Sequence, residues 1–538
     1  MSDLCAWKAT WGIYFVLSIL VYRLGFHPLA RYPGPLLAAC TDWYTVFWHV
    51  SGNRHLELHR QHGKHGKYVR FGPNSLSINS AIASRDLHDV NANTSKSTMY
   101  TASKRFFGAE MSMAIIDVKV HAFRRRVNMS VMTPDAVRTL GNKVKSHVDF
   151  FLENIEKSIV GNMKSKRETV WSCGLDMASL VGYLIADIMG DVTFSQTWNV
   201  QRDAKNRHFV HDVPKGVSGM ILCGHMLSLF TFDLHRLLFR DLINGVSKLN
   251  ALSLSFSSKR LEEHNEGISR DDFWEALMAA RDPKTGKGFT REELVSEACL
   301  FTAAGTDTLI TAVSSTLFYL THAPHALERL TREIRDAFPT AIGQFAGSEL
   351  QQATYLTACI DEALRLCPPI PSILPRQVGP GGMVVDGEFF PQSVVLGIPH
   401  YSLHRNEEYF EEPLAYKPER WLVDEQELER DATQGIRDSY PGLKPGVGQA
   451  MAYTPFGVGR YSCIGKQMAY QEVSYILARI IWTFDLRLEP GNHLGEGTDA
   501  GSEGRTRENE YQVYDRHVCE QHGPILQFKL REAVNMVP

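Results

Sequence analysis

Among the nine cysteines of the chain, Cys463 has the surroundings most able to support chemistry. It sits in Phe456-Gly457-Val458-Gly459-Arg460-Tyr461-Ser462-Cys463-Ile464-Gly465, where glycines on both sides let the backbone pass close to something flat or bulky. Beyond it Met468, Val473, Ile476, Leu477, Ile480, Ile481 and Phe484 recur at helical spacing, which places Cys463 at a helix N-terminus. There the helix dipole and free N–H groups favour a thiolate, the state that an axial haem ligand requires. The plain alternative is a buried, inert thiol. Zinc is disfavoured, because no second Cys lies within 50 residues and the only His in that window is the distant His493. A dinucleotide fingerprint fails as well, since Ser462 stands where its third glycine belongs.

Other stretches carry weaker signals. Ala303-Ala304-Gly305-Thr306-Asp307-Thr308 lies inside a helix predicted from about Glu292 to Thr321, roughly 45 Å long at 1.5 Å per residue. Glycine in a helix interior costs about 1 kcal/mol relative to alanine, so it has a reason, the ordinary one being close helix packing. Glu362-Ala363-Leu364-Arg365 places an acid and a base on one helix face, a pair worth only a few tenths of a kcal/mol on a surface. His121 and Arg125 fall one helical turn apart in a basic run that could equally be a solvated face.

These residues need a large frame to bring them together. The chain has 538 residues, 44% of them hydrophobic, and 57 Lys and Arg against 60 Asp and Glu. That near balance argues against a dedicated nucleic-acid binder, and scattered cysteines without a C-x-x-C pair read as reduced thiols. The pattern from about Ser103 to Thr340 is mostly helical. Short strands are predicted in Arg70–Ser80 and in Val384–Pro399, the latter turning at Asp386-Gly387. Asp424–Ala450 reads as a surface loop and Gly491–Asn509 as a mobile stretch or loop tip. Ala9–Tyr22 is 14 residues without a charge between Lys8 and Arg23, long enough to span a membrane only with its flanks counted. An anchor over residues 1–26 is expected, with an interfacial helix as the alternative, followed by a proline-rich hinge over 27–35 that contains Tyr32-Pro33-Gly34-Pro35. Arg23 and Arg31 after the run place the body of the chain on the cytoplasmic side.

Phe456, Gly459, Cys463 and Gly465 match F-x-x-G-x-R-x-C-x-G, and the sequence resembles the cytochrome P450 haem-thiolate enzymes, most of all fungal microsomal members of natural-product pathways. One departure stands out: Tyr461 occupies the arginine position and Arg460 precedes it, so the resemblance leaves open which of them reaches a haem propionate. The resemblance implies one large, mainly α domain with small β-sheets over residues 36–538. It also implies haem b, its iron held by Cys463 and its propionates by His121, Arg125 and Arg376. Lys417-Pro418-Glu419-Arg420-Trp421 is similar to the family's P-E-R-F element, which implies a structural triad of Glu362, Arg365 and Arg420. Ala304–Thr308 is similar to (A/G)-G-x-(D/E)-T-(T/S), with Leu309 in place of the last hydroxyl residue. It implies a widened helix turn beside the haem, with Asp307 and Thr308 delivering protons. Phe301, Ala304, Ile370, Ile373 and Leu374 are expected to wall a substrate pocket, ordinary core packing being the alternative.

The activity implied is monooxygenation of a lipophilic small molecule with O2 and electrons from NADPH. With no flavin or iron–sulfur motif in the chain, the resemblance implies a separate NADPH–cytochrome P450 reductase. The implied location is the endoplasmic reticulum membrane, single-pass, with the catalytic domain facing the cytoplasm and no nucleic-acid partner. A haem-thiolate enzyme that rearranges peroxides and a non-catalytic haem-binding protein are the alternatives; Asp307-Thr308 speaks against the first and the anchored, cavity-sized domain against the second.

Overall fold

The computed structural model describes residues 2–132, 134–162, 170–281, 286–340, 348–422, 447–498 and 502–531. At its centre runs the 32-residue helix Arg291–His322, within a residue of the predicted bounds. Thr290 caps it: the Thr290 hydroxyl accepts from the Glu293 N–H at 3.3 Å, and the Glu293 carboxylate accepts from the Thr290 N–H at 2.9 Å. Most of its length is buried, as for a helix that threads the middle of a domain. The apolar helix Met177–Phe194 packs along it, and Gly305 permits the approach, since a Cβ there would fall 2.4 Å from Met189 Cε. The central helix is α-helical throughout, so the widened turn expected at Gly305 is absent. The glycine serves close packing instead, and the hydroxyls of Thr306, Thr308 and Thr311 donate back to the carbonyls of Thr302, Ala304 and Asp307.

The predicted N-terminal run forms the helix Ser2–Val21, continued by a π-helical turn over Tyr22–Phe26. Ile13 to Leu17 are each at least half exposed, so the apolar surface is not used in the core. Among the described residues Met177–Phe194 is the single unbroken helix long and apolar enough to cross a membrane, and it is mostly buried inside the protein; the N-terminal apolar stretch Thr10–Phe26 is shorter. Within the stretch predicted as a hinge the chain is pinned to the first hairpin, where the Arg70 N–H donates to the Pro33 carbonyl at 2.7 Å.

Among the described residues the strands form four small sheets. The largest runs in the order Tyr68–Gly72, Ser75–Ile78, Val395–Gly397, Arg376–Val378, Thr94–Lys96, and its last pairing sets Lys96 directly opposite Arg376. The strand pair Met383–Val385 and Glu388–Phe390 turns at Asp386 and Gly387, both at positive φ as a tight hairpin requires. Of the predicted surface loop Asp424–Ala450, residues 424–446 lie outside the described residues, and Val447–Ala452 is helical. In the stretch expected to be mobile, 499–501 lie outside the described residues. The remainder is tied down: the Thr498 N–H donates to the Arg505 carbonyl at 2.9 Å, and Arg505 Nη2 donates to Asn53 Oδ1 at 2.6 Å.

The helix Thr354–Leu366 carries Glu362 and Arg365 into the interior, where both are fully buried. Arg365 clasps Glu362 through two bonds of 2.9 and 2.8 Å, and Arg420 Nε adds a third at 2.9 Å. The Trp421 indole and the Lys417 N–H also donate to Glu362, at 2.9 and 3.0 Å. Burial works to raise the Glu362 carboxyl, but Arg365, Arg420 and the Lys417 N–H outweigh it and hold the group below the ordinary carboxylate range. Glu362→Gln leaves buried guanidinium charge uncompensated, and an unfolding titration should show a loss of about 3–5 kcal/mol. A carboxyl depressed in the folded state stabilises above its unfolded value of 4.5 and loses that contribution as pH falls below it toward the folded value. Wild-type stability should therefore drop on acidification through that window, and Glu362→Gln should flatten the drop.

Candidate active site

The cysteine loop is built by glycines and backbone bonds. Gly457 and Gly459 take φ of +64° and +62°, and the Cys463 N–H donates to the Phe456 carbonyl at 2.8 Å. A Cβ on Gly459 would fall 1.8 Å from the His88 carbonyl oxygen, so this glycine lets the loop press against the end of helix Ala81–His88. At Gly457 nothing stands closer than 3.7 Å, which leaves that face open. Gly465 then caps the helix Lys466–Thr483. Cys463 lies deep in the fold yet is exposed, so its sulfur faces open space. Burial pushes its thiol up, opposed by the Gly465 N–H and by the charges of Arg125 and Lys466. Ala304, midway along the central helix, is likewise exposed between buried Ala303 and half-buried Gly305.

Beside the loop, cations gather without an anion. Arg125 donates to the Ser462 carbonyl at 2.6 Å and to its hydroxyl at 3.0 Å, which seats it next to Cys463. Arg376 is buried with Nε unpartnered, and its guanidinium carbon lies 4.6 Å from the centre of the Tyr461 ring. The His121 ring is 4.8 Å from the same ring, its Nδ1 unpartnered. Burial, then Lys96 and Arg125, lower His121 to about 3, so it is neutral at physiological pH. Among the described residues no carboxylate lies within ion-pair distance of Arg125 or Arg376. The Tyr461 hydroxyl is also buried and unpartnered. Arg460, the other candidate at this position, is turned away; its guanidinium donates to the carbonyls of Val90, Ala92 and Thr94.

Asp307 and Thr308 differ in setting. Asp307 is buried with neither carboxylate oxygen partnered, and burial, with Glu520 nearby, pushes it up to about 8. Thr308 is half-buried and donates to the Ala304 carbonyl at 2.6 Å. Of the expected pocket wall, Ala304 is exposed, and Ile370 and Leu374 are half-buried. Phe301 and Ile373 are buried. Phe301 packs in the core with its ring 5.5 Å from Phe273, and Ile373 fills the space left by Gly397, whose Cβ would fall 2.0 Å from it. Phe456 packs its ring 5.2 Å from Tyr470 and supports the loop from behind. Lys96, which the sequence motifs did not single out, joins the cation group through its strand pairing with Arg376.

The chain belongs to the cytochrome P450 family: the family described as Cytochrome P450 matches residues 42–500. It is 30% identical to the cytochrome P450 monooxygenase AKT7 of Alternaria alternata, over 96% of this chain and 95% of that protein. It is 31% identical to the cytochrome P450 monooxygenase poxM of Penicillium oxalicum, over 96% and 93%, and 30% identical to fscF of Fusarium equiseti, over 99% and 98%. The protein is thus a cytochrome P450 monooxygenase, and the family's cofactor is haem b. The residues present fit that group. A thiol faces open space, an unobstructed glycine lies beside it, and a cluster of unmatched cations awaits an anion such as a propionate pair. Cys463→Ala should abolish the red-shifted Soret band that thiolate ligation produces in the reduced, CO-bound protein; an unaltered spectrum would remove Cys463 from its place.

Proposed function

We propose that this protein uses O2 and NADPH-derived electrons, delivered by a separate NADPH–cytochrome P450 reductase, to hydroxylate, epoxidise or otherwise oxidise a lipophilic small molecule of fungal secondary metabolism. The single observation that carries the O2-dependent reading is Asp307: a buried, unpartnered acid adjacent to Thr308, with no other carboxylate on the central helix beyond Glu297. Bound haem supplies reduction of O2 and transfer of one oxygen atom to the substrate. The chain's own part is to hold the cofactor through Cys463 and the cations, to keep an apolar space beside Ala304, and to move protons. Asp307, raised to about 8, carries a proton at neutral pH and is able to release it, as general acid catalysis asks of a group titrating near the working pH. The Thr308 hydroxyl, half-buried and held by a single helix carbonyl, can turn from it to donate to a water or to pass a proton on from Asp307.

In Thr308→Ala, haem and substrate binding and NADPH consumption should persist while product per NADPH falls and hydrogen peroxide rises. General acid assistance of this kind contributes about 10²–10⁴ in rate, part of which a water can restore. An unchanged ratio of product to NADPH would favour a rearrangement that needs no delivered protons.

The exposed helix Ser2–Val21 supports single-pass attachment to the endoplasmic reticulum membrane, with residues 36–538 as a catalytic domain in the cytoplasm. Arg70 Nη1 donates to the Arg23 carbonyl at 2.8 Å, so a truncation that spares the body ends before Arg23. Deleting residues 1–21 should move much of the protein from the membrane to the soluble fraction with its haem retained. The sequon residue Asn128 is buried and bonds Ser112 Oγ at 3.0 Å and Glu297 at 3.1 Å, which suits a domain that is never glycosylated. A glycan on the exposed sequon residue Asn93 would instead mark the opposite topology.

A further inference from the structure

Where helix Arg240–Asn265, helix Phe273–Ala279 and the first turn of the central helix meet, the surface opens into a cleft of about 410 Å³. Leu261, Met278, Phe289 and Leu294 give it an apolar body. The guanidinium carbon of Arg124 backs the Phe289 ring, 4.4 Å from its centre. The polar side chains of the lining are all able to donate, and none is a carboxylate. Arg281 and Arg291 stand exposed at the rim. Arg281 is fixed by Nη1, which donates to the carbonyls of Met278 and Ala280 at 2.7 Å each, while among the described residues no bond engages its Nε or Nη2. Arg291 donates through Nη2 to Ser258 Oγ at 3.2 Å. Deeper in the lining, Trp274 and Ser257 are 1% and 2% exposed, and the indole N–H and the hydroxyl both lack a partner.

The acids near the cleft are committed elsewhere. Glu293 accepts from the Thr290 N–H at 2.9 Å and pairs with Arg124. Glu263, Asp272 and Glu275 surround the buried Arg260 at 3.0, 2.9 and 3.0 Å. Glu292 turns back onto its own N–H and the Thr290 hydroxyl. Neither rim arginine therefore has a carboxylate within ion-pair distance among the described residues. Two guanidinium forks with no internal acid, set over an apolar body, are complementary to a carboxylate joined to a ring. The volume falls within the roughly 300–1,000 Å³ of ordinary small-ligand sites. A bare inorganic anion would leave the apolar part of the cleft empty. We propose that this cleft is a second small-molecule site, which binds an amphipathic organic acid with its ring against Phe289 and Met278 and its carboxylate on Arg281 and Arg291. It is separate from the space beside Cys463. Leu294 and Ala304 lie ten residues apart on one helix, about 15 Å along its axis.

The probe is 2-naphthoate, and its neutral isostere 2-naphthamide reports the apolar contribution alone. Equilibrium dialysis of the full-length holoprotein in lipid nanodiscs, against empty nanodiscs, should show one bound equivalent of 2-naphthoate with the haem pocket blocked by saturating 1-phenylimidazole. The amide should bind about tenfold more weakly or worse, the scale of one hydrogen bond to a charged group. Replacing both rim arginines, Arg281→Gln with Arg291→Gln, should weaken 2-naphthoate by about tenfold or more and leave the amide within about threefold of wild type. Both side chains are exposed, so this variant keeps its core. Met278→Trp fills the cleft and should abolish binding of acid and amide alike. Binding of 2-naphthoate no greater than to empty nanodiscs overturns the assignment. Equal affinity for acid and amide does so too, as does a double variant that binds 2-naphthoate as wild type does. The Soret shift caused by 1-phenylimidazole reports the haem pocket in the same samples. A wild-type protein without that shift overturns the haem reading, while the two arginine substitutions still decide the cleft.

Discussion

Glu362 gathers five hydrogen bonds in a place where water cannot reach, from Arg365, Arg420, Trp421 and the Lys417 backbone. The consequences reach the cysteine loop by direct contact. Arg365 also donates to the carbonyls of His404, Pro413 and Ala415, so the helix Thr354–Leu366 is bonded to the irregular chain that leads toward the loop. The His404 ring accepts from the Thr454 N–H at 3.0 Å through Nε2, which leaves Nδ1 to donate to the Arg365 carbonyl at 3.1 Å. Thr454 stands two residues before Phe456, where the loop begins. A buried ion pair is poor value as a source of stability, but a network in which every lone pair is engaged specifies one arrangement of the chain. Trp421, where the family pattern has phenylalanine, adds an N–H to that arrangement without loss of packing.

The site is organised in the opposite way. Beside the cysteine loop His121 Nδ1, Arg376 Nε and the Tyr461 hydroxyl lack partners, and on the central helix both oxygens of Asp307 do. Unpartnered buried polar atoms occur elsewhere in the fold too, but beside the cysteine loop they are donors on or next to cations that no carboxylate answers, which suits an anionic group. Their signs divide the site. Cations lie on the side of Arg125 and Arg376, and a single uncharged carboxyl lies on the central helix at Asp307. The first set suits a cofactor with acidic edges, and the second suits transfer of a proton in a space that excludes bulk water.

Close packing decides which residues are free to take part. Gly305 fits its helix against Met189, and the helix stays regular. Phe301 packs against Phe273, and Ile373 seats in the notch left by Gly397.

What the sequence determined by itself is whatever short-range backbone geometry controls. A helix holds Glu362 and Arg365 on one face, a glycine-rich loop sets Cys463 before a helix start, and an uncharged N-terminal run makes a helix with nothing to pack on. Each depends on residues within a turn or two of one another, so spacing alone makes them legible. Tertiary structure decided everything that depends on direction or on distant partners. Arg460 and Tyr461 are adjacent and both polar, and only the carbonyls of Val90 and Thr94 determine that the arginine turns out and the tyrosine in. Lys96 lies 280 residues from Arg376 and enters the site because their strands pair in one register, a relation that no local spacing encodes.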